Sequence, residues 1–80
     1  MTTRDELVTA LDDAEATYRR HGRHLMRLNQ YHDDCPDGDP RKVGVERDIA
    51  RVSALMHEAE RAATRAADAL TTHEDETPAA

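Results

Sequence analysis

Two long stretches of this sequence carry apolar residues at spacings that alternate between four and three. The first series is Leu7, Leu11, Ala14, Tyr18, His21, Leu25, Leu28 and His32. The second series is Val45, Ile49, Val52, Met56, Ala59, Ala63, Ala66, Leu70 and His73. Because an α-helix has about 3.6 residues per turn, this spacing places each series along one side of a helix, as in the seam of a coiled coil. The sequence therefore predicts an all-α fold.

Local signals place the ends of the two predicted helices. Thr3 and Glu6 fit a capping box, so a helix is expected from about residue 4 to residue 31. Asp39 followed by Pro40 fits an N-cap with proline at the first helical position, so a second helix is expected over residues 40–73. Residues 32–39 should form the turn, and the segment 74–80 should be a disordered acidic tail.

Helices joined by so short a connection should fold back on each other as a long antiparallel hairpin, a two-helix coiled coil spanning residues 1–73. Matching the two apolar series places Leu7 opposite Leu70 and Leu28 opposite Ile49. The same match predicts that Gly22 makes room for Leu55.

The predicted hairpin has too little apolar material to stand alone, because its 80 residues include only two tyrosines as aromatic residues. The second helix carries an additional apolar row beside its seam. We expect this row and its neighbours to form a protein interface: Leu55, Ala62, Ala69, Val52 and Met56. A second copy is the favoured partner, as a dimer that forms a four-helix bundle, and a different protein is the alternative.

The net charge of −6 is unevenly distributed along the chain. The turn and the tail are acidic, whereas the half of the hairpin nearest the turn is basic. We call its arginines the basic waist: Arg19, Arg20, Arg23, Arg27, Arg47 and Arg51. The half farthest from the turn carries the acidic base: Asp5, Glu6, Asp12, Asp13, Glu15, Glu58, Glu60 and Asp68. The basic waist is a candidate anion-binding surface, or a surface that pairs with the acidic base of a second copy.

The stretch "HDDCPDGDP" holds the candidate metal ligands. It resembles a calcium loop only in part, because Cys35 and Gly44 occupy positions that should supply oxygen ligands. His32 and Cys35 could supply two zinc ligands, but a structural zinc site needs four and no second pair has suitable spacing, so a symmetric partner would have to complete the site. We therefore interpret the stretch as a polar turn and expect neither a metal nor a cofactor.

Cysteine content and hydropathy indicate the cellular compartment. The single Cys35 has no internal partner for a disulfide, and no apolar run approaches the length of a membrane span, so we expect a cytoplasmic protein without membrane association. Arginine is strongly preferred over lysine, which indicates a GC-rich genome such as that of an actinobacterium or its phage.

These patterns favour a small protein without catalytic activity, which acts in assembly or regulation through protein–protein interaction. The first alternative is a hairpin whose basic waist binds anions or the nucleic-acid backbone, although no sequence-specific DNA-binding motif is present. The second is a helical-bundle enzyme in which Arg23 and Arg51 clamp a dicarboxylate, for which no general acid or base is evident.

Overall fold

The computed structural model describes residues 3–76, and the side chains of residues 3–74. It contains two long helices, α1 (Arg4–Asp34) and α2 (Pro40–Glu76), which pack along each other as a helical hairpin. No strand occurs between residues 3 and 76. The hairpin is a rod measuring 66 × 15 × 14 Å. Neither helix is apolar enough along its described length to cross a bilayer.

Both helices extend three residues beyond their predicted ends. Helix α1 begins as expected, because the Thr3 hydroxyl accepts a hydrogen bond from the Glu6 amide at 3.2 Å. Helix α1 ends at Asp34 because a proline disfavours helical backbone at the residue before it. The residue before Pro36 is Cys35, which has an extended backbone. Residues 74–76 of the predicted tail form the last turn of α2, where Glu74 contacts Arg4 at 3.8 Å. The remainder of that tail, residues 77–80, lies outside the described residues.

The seam between the helices holds most of the buried apolar surface. In α2 the buried residues recur every seventh position, at Val45, Val52, Ala59 and Ala66. Helix α1 has no fully buried residue, and the positions predicted for its seam are half-buried except Tyr18, which is 36% exposed. The predicted seams therefore correspond to the buried and half-buried sides of the two helices, but the resulting core is only one row deep.

Gly22 does not make room for Leu55 as predicted. Its backbone approaches Met56, whose Cε would lie 3.9 Å from a Cβ at this position. Leu55 lies on the other side of the seam, where it faces His21 and Ala14. The prediction was wrong because it considered only which residues of the two helices lie at the same level along the rod. It did not consider on which side of the seam each residue lies.

The connection is a tight turn formed by residues 35–39. Gly38 has φ +87°, a left-handed conformation that favours glycine. The Asp39 amide donates to the Pro36 carbonyl at 3.1 Å, and Cys35 is buried beneath the turn. This geometry brings the end of α1 next to the start of α2, where His32 contacts Glu46 at 3.2 Å.

Replacing Gly22 by alanine should stabilise the hairpin. A Cβ at 3.9 Å from Met56 makes an ordinary van der Waals contact, and alanine restricts the unfolded chain more than glycine does. Gly22→Ala should raise the free energy of unfolding by about 0.5–1 kcal/mol, as measured by urea denaturation followed by circular dichroism. Gly38→Ala is the control and should lower it by about 1–2 kcal/mol, because its backbone is left-handed. A loss of stability with Gly22→Ala would contradict this account of the helix contact.

Candidate interaction surfaces

A shallow open groove of about 420 Å³ follows one side of the seam. Four of its ten lining residues are alanine, and its one large apolar side chain, Leu55, is 41% exposed. The residues that line it are Ala10, Asp13, Ala14, Thr17, His21, Leu55, Glu58, Ala59, Ala62 and Arg65. The groove therefore combines an exposed leucine with small side chains on one side of the seam.

The sequence spacing explains why the groove forms. Leu55 and Ala62 each lie three positions after a buried seam residue, Val52 and Ala59, so they flank the seam on one side. On α1 the facing positions are small, as at Ala10 and Ala14, and leave the groove without a wall. A leucine side chain therefore remains exposed beside a floor of methyl groups.

The structure separates the five residues predicted for a protein interface. Leu55 and Ala62 lie together in the groove, and Ala69 is half-buried one heptad farther along α2. Val52 is only 2% exposed, because it packs in the seam within the hairpin. Met56 is half-buried against Gly22 on the opposite side. Only the first three residues thus lie on one continuous side that a partner could reach.

A second depression lies on the opposite side of the seam, with a volume of about 450 Å³. Its lining comprises Glu15, Tyr18, Arg19, Glu60, Ala63 and Thr64. Tyr18 belongs to the predicted seam, but it is 36% exposed and lines this depression. Four-three spacing could not reveal this, because a ring at a seam position can lean outward over a small residue such as Ala63.

The basic waist is exposed to solvent along both helices. Arg51, one of the two arginines proposed to clamp a dicarboxylate, pairs with Asp48 of its own helix at 3.3 Å. Within the described part of the chain, the other five waist arginines form no ion pair. Across those same residues, no carboxylate of the acidic base is paired either. The monomer thus leaves both charged surfaces open to a partner.

The acidic connection, in contrast, is neutralised by the first turn of α2. Lys42 Nζ donates to Asp37 at 2.7 Å, and this hydrogen bond lowers the pKa of the Asp37 carboxyl. Arg41 donates to Asp39 from both its guanidinium and its amide, and these hydrogen bonds lower the pKa of Asp39. This pairing is not among the predicted features, although an N-cap at Asp39 followed closely by two basic residues, Arg41 and Lys42, is a signal for it.

The two zinc candidates, His32 and Cys35, lie where α1 meets the turn. His32 Nε2 contacts Glu46 at 3.2 Å, and Cys35 is buried. No group of three or more histidine, cysteine, aspartate or glutamate side chains that could hold a metal ion occurs among the described residues. His32 and Glu46 instead connect the ends of the helices next to the turn.

Comparisons of the chain with protein-family models, with curated proteins and with solved structures gave no match. The geometry of the hairpin is therefore the basis for its functional interpretation.

The pairing of Asp39 with Arg41 makes part of the stability depend on pH. Because the pKa of Asp39 is lowered by folding, its contribution is fully present above the unfolded value of 3.8 and is lost as the pH falls through the lower folded value. Asp39→Asn retains a capping oxygen but removes the charge. We expect this variant to unfold at a lower temperature than the wild type at pH 7, and the difference to shrink as the pH falls below 3.8.

Thermal unfolding followed by circular dichroism at several pH values measures this difference. Asp34→Asn is the matched control, since in the described part of the chain Asp34 has no ion-pair partner. A pH-independent difference between wild type and Asp39→Asn would show that the charge of Asp39 does not stabilise the turn.

Proposed function

We propose that this chain is a small assembly module without catalytic activity, in which an antiparallel helical hairpin pairs with a second copy to form a four-helix bundle. The single observation that carries this proposal is the open groove with Leu55 exposed beside an alanine floor. A four-helix bundle covers such a surface with the same surface of a second hairpin.

The poor burial of the monomer supports a partner. Its accessible surface is 6119 Å², whereas a compact monomer of 9.0 kDa is expected to expose about 4,900 Å². No side chain among the described residues is less than 2% exposed. Because burial of apolar surface is the main favourable contribution to folding, a hairpin with this surface gains stability when a second layer covers it.

A second copy is favoured over a different protein because of the charges around the groove. The lining includes both acids and a base, Asp13, Glu58 and Arg65, and none of them has an ion-pair partner in the described chain. A surface that carries both signs can be complementary to itself, which is what a two-fold interface requires.

Substitution of Leu55 should test self-association. Leu55→Glu places a charge in the groove and should weaken the dimer at least 100-fold, since a buried, unpaired carboxylate is strongly unfavourable. Ala54→Glu is the matched control, because Ala54 is the exposed neighbour and does not line the groove. Sedimentation equilibrium over a range of protein concentrations measures both dissociation constants.

The proposal fails if the wild type is monomeric at all concentrations, or if the two variants weaken self-association equally. Circular dichroism of each variant must retain the helical signal, so that a change in mass reports on association and not on unfolding.

The exposed arginines favour a second candidate function, binding to the nucleic-acid backbone. If the basic waist binds phosphates, a fluorescent 20-base-pair DNA duplex should bind with an affinity that falls steeply as salt rises from 50 to 200 mM. Replacing Arg23 and Arg47 by alanine should then reduce the dependence of the affinity on salt. Neither arginine forms an ion pair within the described hairpin, so both are available to bind phosphates. Arg61→Ala, on the acidic half, is the control. Undetectable binding at 50 mM salt would eliminate this candidate.

A further inference from the structure

The charges on the groove side of α1 form an ordered row. Four exposed residues recur at seven-residue spacing, two acids followed by two bases: Glu6, Asp13, Arg20 and Arg27. Asp13 lines the groove, and a seven-residue spacing keeps the other three on the same side of a coiled-coil helix. None of the four has an ion-pair partner among the residues that the structure describes.

Helix α2 carries a corresponding row on the other edge of the groove. Glu58 and Arg65 both line the groove, seven residues apart, and both are exposed. The preceding member of this row, Arg51, already pairs with Asp48. The following member is the neutral Thr72.

The α1 row changes sign about its midpoint, and so do the two unpaired charges of the α2 row. The midpoint on α1 lies between Asp13 and Arg20, and the midpoint on α2 lies between Glu58 and Arg65. The contacts of Gly22 with Met56 and of His32 with Glu46 define which parts of the two helices lie at the same height. By these contacts the two midpoints coincide along the rod to within about one residue, or about 1.5 Å.

A surface whose charges change sign about one midpoint is complementary to a second copy that is rotated by 180° about the midpoint, so that the rod direction is reversed. Each acid then faces a base of the other copy. We propose that two hairpins pair groove to groove about a two-fold axis that crosses the rod near Thr17 and Ala62, with their connections at opposite ends. This inference rests on the proposed self-association and specifies its geometry. Helix α1 then packs on α1 of the second copy, and α2 on α2.

This arrangement pairs every unpartnered charge in both rows. Asp13 lies opposite Arg20 of the second copy, Glu6 lies opposite its Arg27, and Glu58 lies opposite its Arg65. Two-fold symmetry repeats each pair, so Arg20 and Arg27 of the basic waist lie on Asp13 and Glu6 of the other copy's acidic base. The uneven distribution of charge along the rod thereby becomes the feature that sets the orientation of the dimer.

The apolar residues fit the same axis. Leu55 lies opposite Ala69 of the second copy, so a large side chain meets a small one on each half of the interface. Ala62 and Thr17 lie close to the axis and face their own counterparts, where small side chains allow close approach of the helices. All three residues of the apolar row on α2, Leu55, Ala62 and Ala69, thus lie in the proposed interface.

The opposite orientation, with both connections at one end, is less favourable. It would set α1 of one copy against α2 of the other and would pair Asp13 with Arg65 and Arg20 with Glu58, while Glu6 would face the neutral Thr72. It would also place Arg27 against Arg51, and like charges that face each other oppose association.

A charge exchange within one helix tests the proposed axis. Asp13→Arg and Arg20→Asp alone should each weaken the dimer about tenfold, because each creates two symmetry-related like-charge contacts. The double variant Asp13→Arg with Arg20→Asp should recover the wild-type dissociation constant within about threefold. These residues are about 10 Å apart along their own helix, so recovery reports a contact between copies.

The outcomes separate this inference from the proposed function. If Leu55→Glu dissociates the dimer but the double variant is no tighter than the single variants, self-association stands and the proposed axis is wrong. In the alternative orientation, the double variant would face Arg65 and Glu58 with like charges and would associate more weakly than either single variant. A monomeric wild type would overturn both proposals.

Disulfide trapping gives an independent measurement that does not depend on charge. In a Cys35→Ala background, Thr17→Cys should form a covalent dimer on mild oxidation, because the axis places the two thiols next to each other. Ala10→Cys is the control, since its two copies would be about 20 Å apart along the rod and should not link. Equal cross-linking of both variants, or of neither, would overturn the two-fold axis near Thr17.

Discussion

The rest of the structure depends on the packing of one buried row of α2 against α1. The buried residues of α2 recur at heptad spacing and have small or medium-sized side chains: Val45, Val52, Ala59 and Ala66. Helix α1 contributes only half-buried side chains to this contact. Two helices can enclose one seam and no second layer, because each helix touches its partner along a single line. Exposed surface on both sides of that seam is a direct consequence.

The ends of the rod and its middle differ in how their charged side chains are paired. At the ends, ion pairs connect the helices or the turn: Arg4 with Glu74, His32 with Glu46, and the turn aspartates with Arg41 and Lys42. In the middle, the charges on the groove side have no partner within the described hairpin. Exposed pairs contribute little to stability, so unpaired charges along the groove matter more for the choice and orientation of a partner.

The sequence allowed the seam to be predicted because heptad spacing is a local property of each helix. It also predicted the start of both helices from Thr3 and Asp39, whose side chains cap them. It did not predict the side of the seam on which Gly22 and Leu55 lie, or the outward position of Tyr18. Those features depend on how two surfaces interdigitate, which spacing within one helix does not encode.

By itself, the sequence determined that this protein is helical, where its helices begin and which side of each is apolar, because these follow from helix periodicity and capping. Only the tertiary structure decided which apolar residues are buried between the two helices and which remain exposed to solvent. Val52 is buried in the seam and Leu55 is exposed in the groove, although both lie in the same apolar stripe of α2. The physical reason is that α1 is a single cylinder and covers only the part of that stripe that faces it.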